Sequence, residues 1–129
     1  MKYLRNSPVF ATLLFASCGF GAPLAPAYAA DKVCGEASVY SVHDKDQTGT
    51  ITASGIPLND GKATVAYRHA PLKSWVLVTH GDKSLRVMVT DRGPYARDKR
   101  GKPRVLDLSV QAGKELGIKD LGQVCVEPT

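Results

Sequence analysis

Two aspartates, Asp91 and Asp107, stand in apolar company near the two ends of the stretch Val89–Ser109, VTDRGPYARDKRGKPRVLDLS. Paired carboxyl groups suit general acid–base catalysis, in which an acid gives a proton to a departing group and a carboxylate takes one back. An isolated aspartate titrates near ~3.9, so such an acid needs burial or a neighbouring carboxylate to hold its proton. Asp107 is the candidate neighbour for Asp91. Both residues also have structural uses. An Asp ahead of Arg92-Gly93-Pro94 commonly accepts backbone N–H bonds in a turn. Asp107 lies two residues before Ser109, a good helix N-cap, and there the helix dipole stabilises negative charge, so it reads as structural before catalytic.

The elements that must position these groups are short. Apolar runs rich in Val, Thr and aromatics alternate with turn signals, the pattern of a small all-β domain. Strands are predicted at Glu36–Tyr40, Thr64–Arg68, Trp75–Thr79, Leu85–Thr90, Arg104–Leu106 and Gln123–Val126. The third and fourth flank HGDKS, whose Gly81-Asp82 suits a hairpin turn. One helix is expected over Val110–Leu116, capped by Ser109 and ended by Gly117 in the left-handed conformation. Trp75 alternates with Leu77 and is expected in the core. The basic cluster Arg97, Lys99, Arg100 and Lys102 falls in the loop after Pro94, as a solvated turn or a meeting point for an anionic polymer.

The N-terminus reads as a signal peptide over residues 1–29. Lys2 and Arg5 precede an uncharged apolar stretch, and Ala27-Tyr28-Ala29 offers a cleavage site before Ala30. The unbroken apolar run is far shorter than the ~20 residues of a transmembrane helix. Phe15-Ala16-Ser17-Cys18 resembles a lipobox, which offers a second route, an outer-membrane lipoprotein anchored through Cys18. Either way the domain, 30–129, is expected in the periplasm or outside the cell. Either route also leaves Cys34 and Cys125 as an even pair in an oxidising compartment, and a disulfide is expected. No His or Cys cluster accompanies them, so no metal site is expected, nor any cofactor. Without Lys2 and Arg5, the 17 basic residues fall to 15 against 12 acidic, a net charge of +3. That suits an anionic surface such as a cell wall and is too small to argue for nucleic acid.

Four short motifs occur in order: Gly35-Glu36-Ala37-Ser38-Val39-Tyr40, Thr52-Ala53-Ser54-Gly55, Asp91-Arg92-Gly93-Pro94, and Leu106-Asp107-Leu108-Ser109 before a helix closing in Leu116-Gly117. Together they resemble the rare lipoprotein A (RlpA) family. The resemblance implies a six-stranded double-psi β-barrel in the cell envelope. In active members it implies lytic cleavage of peptidoglycan glycan strands that lack stem peptides, with Asp91 in the catalytic position. A lytic transglycosylase needs no carboxylate to activate water, because the sugar's own 6-hydroxyl attacks the anomeric carbon, so one acid can suffice.

The chain also departs from the family. Ile56 stands where the family carries Glu, Tyr67 where it carries His, and Val39 and Ser41 flank Tyr40 in place of Trp and Gly. His69, two residues on, is a candidate substitute for the missing histidine. Thr52 and Ser54 are candidates for sugar hydroxyls, or for bonding their own backbone. Tyr67 and Tyr95 are candidates for sugar stacking, as are Tyr40 and Trp75, and Arg92 and Asp107 complete the substrate-binding set. The other function class left open is a non-catalytic glycan-binding or wall-loosening module of the expansin kind.

Overall fold

The computed structural model describes residues 31–44 and 49–129, together with Gly19 and Gly21. The charged opening, the Ala27-Tyr28-Ala29 cleavage site and Cys18 lie outside the described residues.

Among the described residues, six strands and one helix follow in the order β1 (Val33–Tyr40), β2 (Thr64–Ala66), β3 (Trp75–His80), β4 (Lys83–Asp91), β5 (Leu106–Ser109), α1 (Val110–Leu116) and β6 (Leu121–Pro128). They close into a barrel in the spatial order β1-β5-β2-β4-β3-β6. Two pairs, β1 with β5 and β2 with β4, are parallel, and the other pairings are antiparallel. This is the double-psi β-barrel the motifs imply.

Alternation decides what fills the barrel. Ala37, Val65, Val76, Val78, Val87, Val89, Leu106, Leu108 and Val126 point inward and are all but fully buried. Closed barrels leave room for little else, and β-branched valines pack well on a pleated surface. Because Val76 and Val78 are the inward set on β3, Trp75 faces out. Contrary to the sequence expectation it is 40% exposed, and the Arg86 guanidinium lies 4.4 Å from its ring centroid.

The β3–β4 hairpin turns at Gly81-Asp82 as anticipated, with Gly81 at φ 59°. Helix α1 also forms where expected. Ser109 Oγ accepts from Ala112 N at 3.3 Å and donates to Lys62 O, and Gly117 ends the helix at φ 74°. Two strands differ. β2 stops at Ala66 instead of Arg68, since the Tyr67 carbonyl leaves the ladder to accept from Arg92. β5 occupies Leu106–Ser109 instead of Arg104–Leu106, because Val105 N bonds Glu36 O and the ladder with β1 starts one residue later. Asp107 is therefore a mid-strand residue. Cys34 and Cys125 are register partners on β1 and β6 and are joined by a disulfide.

Candidate functional site

Register brings the two aspartates onto one face. Ser38 on β1 pairs with Asp107 on β5, Asp107 with Ala66 on β2, and Ala66 with Asp91 on β4. Register partners project to the same side of a sheet, and here that side is the outer wall, because Leu106, Leu108, Val65 and Val89 take the inner one. Two strand spacings separate the backbones of Asp91 and Asp107 by ~10 Å. Ala66, only 2% exposed, takes the register position between them, so the row forms a candidate cleft with a covered alanine at its base.

Asp91 owes its position to a bulge. Val65 pairs with Val89 and Ala66 with Asp91, which leaves Thr90 as the extra residue on β4. Bulges bend a strand and release backbone groups from the ladder. The freed Thr90 carbonyl accepts from Ser54 N at 3.0 Å, and Asp91 Oδ1 accepts from Ala53 N at 3.0 Å and Arg92 N at 2.9 Å. The Asp91 carbonyl takes Tyr67 N at 3.0 Å. One carboxylate oxygen is thus fixed by two backbone donors, and Oδ2 makes no hydrogen bond among the described residues.

Asp107 is partly buried. Burial pushes it above the usual aspartate range, a rise partly offset by the hydrogen bond from Ser38 and by the Arg104 charge, and reinforced by Asp91. Arg104 is itself engaged with Glu36 at 2.7 Å. Tyr40, the next outward residue after Ser38 on β1, completes the cluster. Its hydroxyl is pushed well above the usual tyrosine range by burial first, then by the charges of Asp91 and Asp107. Thr90 lies near enough to offset part of that rise, yet neither Tyr40 Oη nor Thr90 Oγ1 finds a partner in good geometry among the described residues. The two hydroxyls are neighbours and not a formed hydrogen bond.

The other candidates divide. Thr52 is buried, and its hydroxyl bonds the Ile56 carbonyl at 2.6 Å and Ser54 Oγ at 2.9 Å, so both side chains are spent inside their own turn. Arg92 Nη1 donates to the carbonyls of Tyr67 at 2.9 Å and Ala70 at 2.5 Å, clasping the segment after β2. Tyr67 is buried and meets the exposed His69 edge-on, ring centroids 5.5 Å apart. Tyr95 is 80% exposed beside the Gly93-Pro94 peptide, which is cis. Ser38, Ala66 and Thr90 were not singled out from sequence. Ser38 and Tyr40 were recoverable from alternation along GEASVY, whereas Ala66 and the Thr90 bulge carry no sequence signal.

With this geometry in hand, comparison with known proteins is decisive at one level. Residues 32–127 match a family described as lytic transglycolase. The chain belongs to this RlpA-like family. The endolytic peptidoglycan transglycosylase RlpA of Haemophilus influenzae is 40% identical over 83 residues, covering 61% of this chain and 27% of the relative. That of Pasteurella multocida is 38% identical over 93 residues, covering 69% and 30%. The chain thus spans less than a third of the length of these curated relatives. Among solved structures, a mutant Clavibacter michiganensis expansin in complex with cellohexaose aligns with TM-score 0.55 at 21% identity, over 77% of this chain and 50% of that one. The Streptomyces papain inhibitor aligns with TM-score 0.51 at 21% identity, over 75% and 94%. These structural likenesses establish the shared barrel.

Proposed function

We propose that this domain of the RlpA-like family binds peptidoglycan glycan strands and cleaves them as a lytic transglycosylase, with Asp91 as acid and base. The observation that carries the reading is the row Ser38, Asp107, Ala66, Asp91, which sets two carboxyls over one small floor on the outer wall. Asp91 has one oxygen fixed by backbone donors and the other without a hydrogen bond among the described residues. Burial holds the Asp107 carboxyl above the usual aspartate range, so it keeps its proton to higher pH than an isolated aspartate does. In the reaction Asp91 protonates the glycosidic oxygen as the bond to the anomeric carbon breaks. The muramyl 6-hydroxyl then closes on that carbon and its proton returns to Asp91, so no water is consumed. Asp91→Asn should abolish the release of anhydro-muramyl ends from peptide-free strands and leave binding intact. A variant that cuts as fast as the parent removes Asp91 from the mechanism.

A second reading is favoured by Ile56 and Tyr67. An apolar, half-buried side chain and a buried phenol stand where the family carries Glu and His. In that case the same groove binds glycan without cutting it, and a parent that binds strands but never yields anhydro ends decides for it. Under both readings the protein works in the cell envelope, exported by cleavage before Ala30 or anchored through Cys18, and intact mass of the mature protein separates the two routes. Among the described residues no helix is long and apolar enough to cross a membrane.

A further inference from the structure

A cavity of about 620 Å³ lies away from the carboxylates, at the opposite end of β1. Its walls are Cys34, Gly35 and Glu36 on one side and the turn from Asp98 to Pro103 on the other, with Gln123 of β6 beside them. Alternation connects it to the cleft. Gly35, Ala37 and Val39 turn towards Val105, the core and the helix, so Cys34, Glu36, Ser38 and Tyr40 share the outer face of β1. The six residue steps from Cys34 to Tyr40 cover ~20 Å, enough for a glycan chain to lie in the cleft and reach the cavity together.

The turn is built to hold cations outward. Asp98 N donates to Lys102 O at 2.8 Å and Gly101 N to Asp98 O at 3.0 Å, Arg97 and Pro103 form a bridge, and Arg97 Nη1 holds the Gly101 carbonyl at 2.7 Å. Gly101 supplies the left-handed φ of 78° that the turn requires. Both acids in the cavity wall are engaged. Asp98 Oδ1 accepts from Arg100 N at 2.8 Å and Lys102 N at 2.9 Å, and Glu36 Oε1 pairs with Arg104. Lys99, Arg100 and Lys102 form no ion pair among the described residues. The turn is tied to the carboxylates through the chain, since it lies in the connection that leaves β4 at Asp91 and returns at Leu106, one residue before Asp107.

We infer that the outer face of β1 is one glycan track, and that the basic turn at its far end is a subsite for carboxylates carried by the glycan. This rests on the glycan-binding reading above and adds what the site selects. A strand stripped of its stem peptides bears a free lactyl carboxylate on each muramyl residue and is a regularly spaced polyanion. A polymer of N-acetylglucosamine has the same linkage and no such charge. The turn distinguishes them.

The test is a binding comparison on the full mature chain, parent against the triple variant Lys99→Gln, Arg100→Gln, Lys102→Gln, with peptide-free glycan strands and neutral N-acetylglucosamine oligomers as probes. None of these three side chains holds the turn, whose bonds come from Asp98, Arg97 and the backbone. Exposed cation–carboxylate contacts each contribute a factor of about two to five, so the triple variant should bind strands about ten- to a hundredfold more weakly. Its affinity for the neutral oligomer should not change, and the salt dependence of strand binding should flatten. Equal strand affinity in parent and variant overturns the subsite, as does an equal loss for both probes. Parent binding to anionic phospholipid vesicles but not to strands also overturns it, by assigning the turn to a lipid surface. A parent that binds strands through the turn yet yields no anhydro ends retires the cleavage reading alone.

Discussion

The double substitution Cys34→Ala, Cys125→Ala tests how much of this fold depends on a single covalent link. The two cysteines are opposite one another on β1 and β6 and 91 residues apart, so the bond closes nearly the whole domain into one loop. In the native state its removal changes little locally. The β1–β6 ladder runs from Val33↔Val126 to Ser38↔Leu121 and retains its register partners on both sides of the lost bridge. The effect falls on the unfolded chain, whose loop-closure entropy for this separation corresponds to about 4.5 kcal/mol at 25 °C. Against a marginal total stability of ~5–15 kcal/mol that is a large share, and for a domain of this size it lowers Tm by on the order of 20 °C. Urea denaturation of both proteins under identical conditions provides the assay. The variant should unfold at a much lower urea concentration, with a steeper denaturant slope because its unfolded state is less compact. A variant within ~1 kcal/mol of the parent would refute the reasoning, by showing that the unfolded chain is already compact or that the ladder alone fixes the ends.

Two further outcomes follow from the cleft. Asp107 has its folded pKa raised by burial, so between the unfolded value of ~3.9 and the raised one the folded state binds more protons, and stability falls as pH rises through that window. Asp107→Asn should remove this decline, giving urea midpoints that are flat where the parent's fall and at least equal to the parent's at neutral pH; a parent whose stability rises through the window contradicts the burial argument. Ala66→Val should fill the floor between the two carboxyls at a cost of about 1–3 kcal/mol in stability and abolish release of anhydro ends, so full cleavage by the folded variant removes the cleft from the reaction.

The elements legible in the sequence were those with a local signal. Alternating valines gave β3 and β4, Gly81-Asp82 gave their turn, and Ser109 with Gly117 bracketed α1 to the residue. The misses are non-local. Trp75 follows the same alternation as Leu77, but which parity faces inward is decided by strands distant in the chain that close the barrel. Asp107 looked like a residue of the helix entrance, because its pairing with Ser38, 69 residues earlier, is invisible to any local pattern. Closure order and the Thr90 bulge are properties of strand pairing, and they are what place Asp91 and Asp107 on one face.

The departures from the family pattern at Ile56 and Tyr67 affect positioning and chemistry differently. The turn containing Ile56 reaches the site through backbone donors, Ala53 N to the Asp91 carboxylate and Ser54 N to the Thr90 carbonyl, and neither depends on the side chain that follows Gly55. Tyr67 likewise meets Asp91 through its own N–H, and its carbonyl is held by Arg92. Backbone hydrogen bonds tolerate almost any side chain, so Glu can become Ile and His can become Tyr without releasing Asp91 from its bulge. Under the proposed cleavage, those changes leave proton transfer to Asp91, with Asp107 across Ala66 and Tyr40 beside it. A frame kept by backbone contacts around a reduced set of acids is compatible with a reaction whose nucleophile is the substrate's own hydroxyl, since that reaction needs no carboxylate to activate water across the sugar ring.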